Sequence, residues 1–485
     1  MAILVNSKIA KGDAGVEGTW WSLLPFLLII PLAIWLKEIL PGLIAGLLVG
    51  AFCLERSLVG GIERALSAIV HSLSDVEHMK VAAFLYLFGS LVGMMQITGG
   101  IKGFVEKLSG RIRTKRRLLL FVWLTVPVTF FMPMFRIMLL GPVMKAVLRQ
   151  FRIDRRRMAY IIDVSTEPII VLLPAATAFV GFMTSVVAAA LAQNDIHEPA
   201  YGVFLRSLPY NLFAIIALII GLLTTMLNIR IGKPRAKKGE EKTNELHGLG
   251  LRKELSLVTG EPLHLFVPLA LLLGLTFAFF AYDGRRRGAH DWLEAFSQAD
   301  ATWAMLLALF VTLVLSMGFY VWRRQSLSEL IYHFFAGGNE LMAPIGMLVL
   351  VWAVSAVAGE LGFTAYVAST FGTWLPGTFV PAAVFLAGSF LAYFIGSSWG
   401  TWGIFMPLGV TLAHATGAPL EMTVGAVFAS GTFGAFASPL GDTTITTAAI
   451  MDMDLMNYAK YKLRISLIGA GLSLAGYVLL PLWAG

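Results

Sequence analysis

Two short stretches in the C-terminal half carry reactive side chains in surroundings that are otherwise strongly apolar. GSSWGTWGIFMP at 396–407 brings Ser397, Ser398 and Thr401 together. GTFGAFASPLGDTTITT at 431–447 does the same for Ser438, Asp442, Thr443 and Thr444. In lipid, broken helices and free hydroxyls persist only where they are buried in protein or line a cavity. Hydroxyl and backbone oxygens suit a hard cation such as Na+, and two breaks close together point to an ion or substrate site near the bilayer midplane. A charged carboxylate at that depth costs about 3 kcal/mol on insertion scales. Asp442 is therefore expected to be paired, protonated or bound to Na+, with Thr443 and Thr444 assisting. The structural alternatives are a helix break capped by Asp442 and small residues that let helices pack closely.

A second cluster, DVSTEP at 163–168, sets Asp163 and Glu167 four residues apart, a spacing that shares one helix face. Two carboxylates so close in low dielectric are not expected to ionise together, so the pair could share a proton and act as a relay, with Ser165 and Thr166 beside it. The alternative is a pair neutralised by the basic residues just upstream, or an acid at the membrane surface. Arg136 admits three readings: a counter-charge to Asp163, Glu167 or Asp442, a fork that binds a carboxylate substrate, or an arginine that snorkels at a helix end. Glu340 and Glu360 flank one apolar run and read as interfacial. The eight histidines show no metal-ligand spacing, and no phosphate-binding G-x-x-x-x-G-K-[ST] loop is present. No enzyme chemistry, cofactor or ATP-driven step is indicated, so any transport is expected to run on ion gradients.

These clusters need elements to hold them. Of 485 residues, 57% are hydrophobic and only 14% charged, well below the roughly 25% of soluble domains. Thirteen apolar runs of spanning length lie between 20–36 and 464–483, some of them short enough to be half-helices. The expected fold is therefore all-α and polytopic, with ten to thirteen membrane helices. Segment 61–78 is too polar to span and suits an amphipathic helix at the interface. The net charge of +8 concentrates in the short basic blocks 102–117, 149–157 and 230–253, which sets topology and lipid contact rather than nucleic-acid binding. A single cysteine, Cys53, excludes intrachain disulfides.

The two halves repeat. GIKGF at 100–104 recurs as GELGF at 359–363, and Pro142 and Pro174 recur as Pro407 and Pro439, both 265 residues on. Breakers at equal spacing in corresponding halves mark a transporter built from inverted repeats with its site at their interface. The expected division is a repeat at 1–229, a basic linker at 230–261 and a repeat at 262–485. On this register Thr177 corresponds to Asp442 and Ser165 to Ser430.

From about Leu24 to Leu463 the chain resembles the NhaC family of Na+/H+ antiporters. The likeness rests on LPFLLIIPLAIWLKEILPGLIAGLLVGA, TGGIKGF, RRMAYIIDVST and GELGFTAYVAS in order, with GSSWGTWGIFMP and SPLGDTT similar to the family's G-T-S-W-G-T…P and S-P-[LI]-S-D-T-T motifs. The resemblance implies an inner-membrane secondary transporter of two inverted repeats with re-entrant hairpins. It would exchange Na+ for H+ by alternating access, and the group's folds suggest a homodimer. Asp442 would hold the cation, and Asp163 and Glu167 would carry protons. Three departures stand out. FFMPMFR at 130–136 replaces the family's F-F-D-D-Y-x-N, FGAFASP at 433–439 lacks an acid of F-G-D-[HK]-x-S-P, and Gly441 replaces a serine. They make the site less negative and favour the alternative of a Na+- or H+-coupled transporter or exchanger of a small organic acid or amino acid.

Overall fold

Most helices fall on the predicted apolar runs, and several stop at Ser, Gly and Pro clusters. Pro407, expected as a breaker, instead lies inside the helix Ser398–Thr416, and the run expected at 159–175 is interrupted after Val164. The computed structural model describes residues 18–99, 114–129, 153–174, 177–227, 261–288, 299–371 and 375–484, with Pro133, Arg136, Ile137, Leu140, Gly141, Met144, Lys145 and Leu148 between them. The linker up to residue 260, the GIKGF motif and Pro142 lie outside the described residues.

The first half contains α1 (Leu24–Leu36), α2 (Ile39–Glu55), α3 (Leu58–Ser74), α4 (Val76–Ile97), α5 (Lys115–Leu124), α6 (Arg155–Val164), α7 (Ala178–Gln193), α8 (Ala200–Ser207) and α9 (Leu212–Met226). The second contains α10 (Leu263–Arg286), α11 (Ala301–Trp322), α12 (Leu327–Glu340), α13 (Met342–Glu360) and α14 (Phe363–Phe371). It continues with α15 (Val380–Ile395), α16 (Ser398–Thr416), α17 (Leu420–Ala437), α18 (Asp442–Ile450) and α19 (Leu455–Ala484). Among the described residues, seven helical stretches are long and apolar enough to cross a membrane. The count is eight if Ala200–Tyr210 and Leu212–Met226, bent by 44° at Asn211, form one span. The molecule is an all-α, multi-pass membrane protein.

Helix starts recur at the offset of the proline pairs. Lys115 opens α5 and Val380 opens α15; Arg155 opens α6 and Leu420 opens α17, each 265 residues apart. Packing crosses between the halves: α3 lies on α13, while α12 lies on α4. The α4–α12 crossing is close because Gly89 and Gly93 meet Gly337 and Gly338 backbone to backbone, as small residues allow in membrane helices. On α3, Arg64 donates to Glu360 at the end of α13, while Leu58, Val59, Ile62, Leu66 and Val70 are exposed. That division into a polar contact and an open apolar face is the amphipathic character expected for 61–78, although the helix runs over Leu58–Ser74 and residues 76–78 open the next one.

Two helices open under side-chain caps that the sequence supplies. Ser397 accepts from Gly400 N at the start of α16 (3.4 Å), and Thr177 accepts from Val180 N at the start of α7 (3.2 Å). Gly396, at φ +77°, ends α15 in a left-handed conformation that a side chain would strain. It also has to be glycine for space: a Cβ there would meet the Leu440 carbonyl carbon at 2.6 Å. The breaks at 396–398 and 438–441 thus touch each other. Outside the spans, Arg323 at the end of α11 donates to Glu261 and holds its carboxyl below the ordinary range.

A buried ion pair at the meeting of broken helices

The sequence DVSTEP is not one helix. The chain leaves α6 at Val164, turns through Ser165 and Thr166, and resumes as a four-residue turn at Glu167–Ile170 with Pro168 in its first positions. The expectation that Asp163 and Glu167 share a continuous helix face is therefore corrected. Pro168 cannot donate a backbone hydrogen bond and disfavours helical geometry in the residue before it. Both acids are buried, and among the described residues no hydrogen bond joins them, so the expected shared proton has no geometry here.

Each acid reaches α18 instead. Thr443 Oγ1 donates to Glu167 Oε2 (2.9 Å), and Thr447 Oγ1 donates to Asp163 Oδ1 (2.5 Å). The threonines are one helical turn apart on α18, so two hydroxyls match two carboxylates presented across the opposite break. Asp163 Oδ2 accepts twice more, from Tyr458 OH (2.6 Å) and from Lys462 Nζ (2.7 Å), both on α19. The Lys462 and Asp163 side chains are both 0% exposed. The Lys462 ammonium also stands 4.5 Å from the Phe436 ring centroid and 5.4 Å from that of Tyr458. Aromatic faces solvate an ammonium where water is absent. The partner of Asp163 is thus Lys462 and not the basic block upstream of α6.

Arg136 is fully buried and pairs with none of Asp163, Glu167 and Asp442. Its Nε donates to Thr166 Oγ1 (2.9 Å), Nη1 to Thr125 Oγ1 (2.9 Å) and Thr129 Oγ1 (2.5 Å), and Nη2 to the Val122 carbonyl (2.7 Å) and Ser165 Oγ (2.9 Å). A guanidinium has five N–H donors, and all five are used on neutral oxygens. Thr125 and Ser165 are the residues that close α5 and α6, so the cation sits at two helix C-termini. Each terminus supplies roughly half a negative charge. Neither the counter-charge nor the substrate fork expected of Arg136 has its geometry here: it forms no ion pair with any of the three acids, and all five of its donors are already taken.

Asp442 is exposed at the first position of α18, where Gly441, not Asp442, is the capping residue and no side-chain cap forms. A carboxylate there still favours the helix N-terminus. The other predicted hydroxyls are occupied with backbone. Ser398 donates to the Gly431 carbonyl (3.3 Å), Thr401 to that of Ser397 (2.9 Å), and Ser438 to that of Tyr393 (2.6 Å). Thr444 is the exception, since its Oγ1 is buried without a hydrogen-bond partner. Trp402 is fully buried, with its Nε1 donating to the Phe428 carbonyl (3.1 Å).

The profile of the Na+/H+ antiporter family matches residues 169–480, a span that holds α7 to α18, most of α19 and so the Thr443, Thr447, Tyr458 and Lys462 side of this cluster. The chain belongs to the Na+/H+ antiporter family. It is a secondary transporter. As a member of this family it is 25% identical over 478 residues to an uncharacterized protein of Haemophilus influenzae, which covers 94% of this chain and 90% of that one. It is also 34% identical over 140 residues to the arginine/ornithine antiporter ArcD of Halobacterium salinarum, covering 29% of this chain and 28% of the relative. A third relative is the malate-2H+/Na+-lactate antiporter of Bacillus subtilis, 26% identical over 169 residues, with 33% of this chain and 34% of that one covered. Among solved structures, this antiporter-family chain resembles Neisseria gonorrhoeae MtrF (TM-score 0.64, 12% identity), with 86% of this chain and 84% of that one covered. It also resembles the Alcanivorax borkumensis YdaH transporter (TM-score 0.57, 14% identity), with 88% and 89% covered. Those two likenesses concern the fold.

Proposed function

We propose that the protein exchanges a monovalent cation, Na+ first, for H+ across the inner membrane by alternating access. The observation that carries this reading is the buried Asp163–Lys462 pair at the junction of two helix breaks. A carboxylate that holds an internal positive charge, and is bracketed by hydroxyl oxygens, can hold an external one in the same place. In the cation-loaded site, Asp163 and Glu167 supply charge, while Thr443, Thr444 and Thr447 supply neutral oxygen. The unpartnered hydroxyl of Thr444 is the group with a free position to fill. Asp442, exposed beside this cluster, draws cations toward it. The two-repeat division at 1–229 and 262–485 belongs to the same proposal, supported by the recurrence of helix starts at one offset.

The test is purified protein in liposomes with a trapped pH dye, an imposed pH gradient, and Na+, Li+ and K+ added in turn. A Na+- or Li+-dependent collapse of the gradient is the expected result. Glu167→Gln keeps an acceptor for Thr443, removes a charge assigned to cation binding, and should sharply lower that rate in a folded protein. Asp442→Asn should raise the half-saturating cation concentration without abolishing exchange. A wild-type protein that answers no inorganic cation would sink the reading. Arginine, ornithine, malate and lactate would then be tested in the same liposomes, because two relatives carry those substrates in their names.

A further inference from the structure

We infer that Lys462 is the group that carries the exchanged proton. This rests on the cation/proton reading above and names the residue that couples the two ions. The ammonium has one anionic partner, Asp163 Oδ2 at 2.7 Å, and two aromatic faces, with its side chain 0% exposed. An isolated charge in such a place is costly unless paired. When a cation M+ binds the Asp163 carboxylate, the lysine loses its partner and its charge has no compensation. The step balances in atoms and charge. The Asp163 carboxylate paired with the Lys462 ammonium takes up M+ and becomes the same carboxylate paired with M+, a neutral Lys462 amine and one free H+. One N–H bond of the ammonium breaks, its electron pair stays on Nζ, and the proton leaves to water on the open side. Reversal on the other side takes a proton up and expels the cation.

The surroundings leave Lys462 well suited to this exchange. From the α6 segment it faces Asp163 and, at longer electrostatic range, Glu167. Tyr458 lies one turn back on its own helix, and Tyr160 and Tyr461 lie next to Tyr458. α18 presents Thr447 toward the shared carboxylate, and its charged residue, Asp442, sits at the exposed end. Of the other helices packed on α19, α9 and α15 carry no charged residue, and the acid of α17, Glu421, pairs with Arg206. Thr447 and Tyr458 continue to donate to Asp163 in either state, so the carboxylate keeps its place while the cation beside it changes. That is the arrangement expected of a site that swaps one positive charge for another.

The decisive variant is Lys462→Arg, which keeps the positive charge and the ion pair but cannot release its proton in the working range. The expected outcome is a monodisperse protein whose Na+-driven proton signal in the liposome assay falls by roughly 100-fold. Wild-type rates and an unchanged pH profile in Lys462→Arg would overturn the inference and leave Lys462 as a structural counter-charge. A second measurement needs no variant. In wild-type protein labelled with 15N-lysine, saturating Na+ should move one lysine Nζ signal from the ammonium to the amine position. An unchanged lysine spectrum under those conditions would also overturn it. If the wild-type protein moves no protons with any cation, the cation/proton reading itself fails. If it does, and Lys462→Arg does as well, only the role of Lys462 fails.

Discussion

Arg136 and Lys462 are both fully buried cations, and the chain accommodates them by different physics. Lys462 has a carboxylate and two aromatic faces. Arg136 has four hydroxyls, one carbonyl and the ends of two helices. The difference fits the two side chains, because a planar fork with five donors can be saturated by neutral acceptors while an ammonium is a point charge. Arg136 therefore reads as a positioning residue. It fastens the end of α5 to the Ser165–Thr166 turn, which lies between Asp163 and Glu167 and sets where each points. Lysine has three donors, so Arg136→Lys should leave at least two of these acceptors without a donor, at about 1–3 kcal/mol each. The expected result is a clear fall in the melting temperature of the detergent-solubilised protein. A melting temperature equal to wild type would mean that the fork is not what holds the turn.

At the scale of elements, glycine decides how close helices come. A Cβ on Gly337 would run into the Gly93 Cα at 2.8 Å and into the Gly89 carbonyl oxygen, so α12 and α4 cannot both hold their places with alanine there. Overpacking of this kind typically costs about 1–3 kcal/mol. Gly346 on α13 has nothing within 4 Å of the same position, and alanine there should stabilise its helix by up to about 1 kcal/mol. Gly337→Ala should therefore lower thermal stability and Gly346→Ala should hold or raise it, as read from paired melting curves. Equal effects of the two substitutions would remove close backbone approach as the basis of the α4–α12 crossing. The same reasoning explains the contact of Gly396 with Leu440, through which the two breaks of the second half are built as one unit.

At the scale of the whole molecule, the proposed exchange alternates the site between a bound cation and a protonated lysine. One positive charge enters as one leaves, so net charge at Asp163 is the same in both loaded states. Moving a net charge through the membrane potential would be worth about 2.3 kcal/mol per 100 mV. Exchange is therefore expected to be electroneutral, with a rate that an imposed potassium–valinomycin potential leaves unchanged. A rate that rises steeply with potential would show unequal charges in the two half-cycles and would rule out a one-for-one swap.

Read by itself, the chain determined the membrane class, because 57% hydrophobic residues arranged in spanning runs have no soluble solution. It determined the breaks at 396–398 and 438–442 as well, since Ser, Gly and Pro act through local backbone geometry. The amphipathic helix expected at 61–78, which the structure places at Leu58–Ser74, is of the same local kind. The partners of the buried charges were decided only in three dimensions. Asp163 finds Lys462 299 residues away, and no local pattern encodes a contact at that separation. In sequence Lys462 stands between Lys460 and Arg464, and the three read as one basic edge of the last apolar run. The available signal was periodic: Tyr458, Lys462, Ser466, Gly469, Ser473 and Tyr477 fall on one helical stripe, and that stripe is the buried one. Arg136 was visible as an anomaly, but its role depended on where α5 and α6 end relative to each other. Asp442, the acid the motif singles out, stands at an exposed helix start, while the carboxylates that are buried and paired come from the other half. Local chemistry sets which groups can carry charge, and packing sets which of them lose water and so have to find a partner.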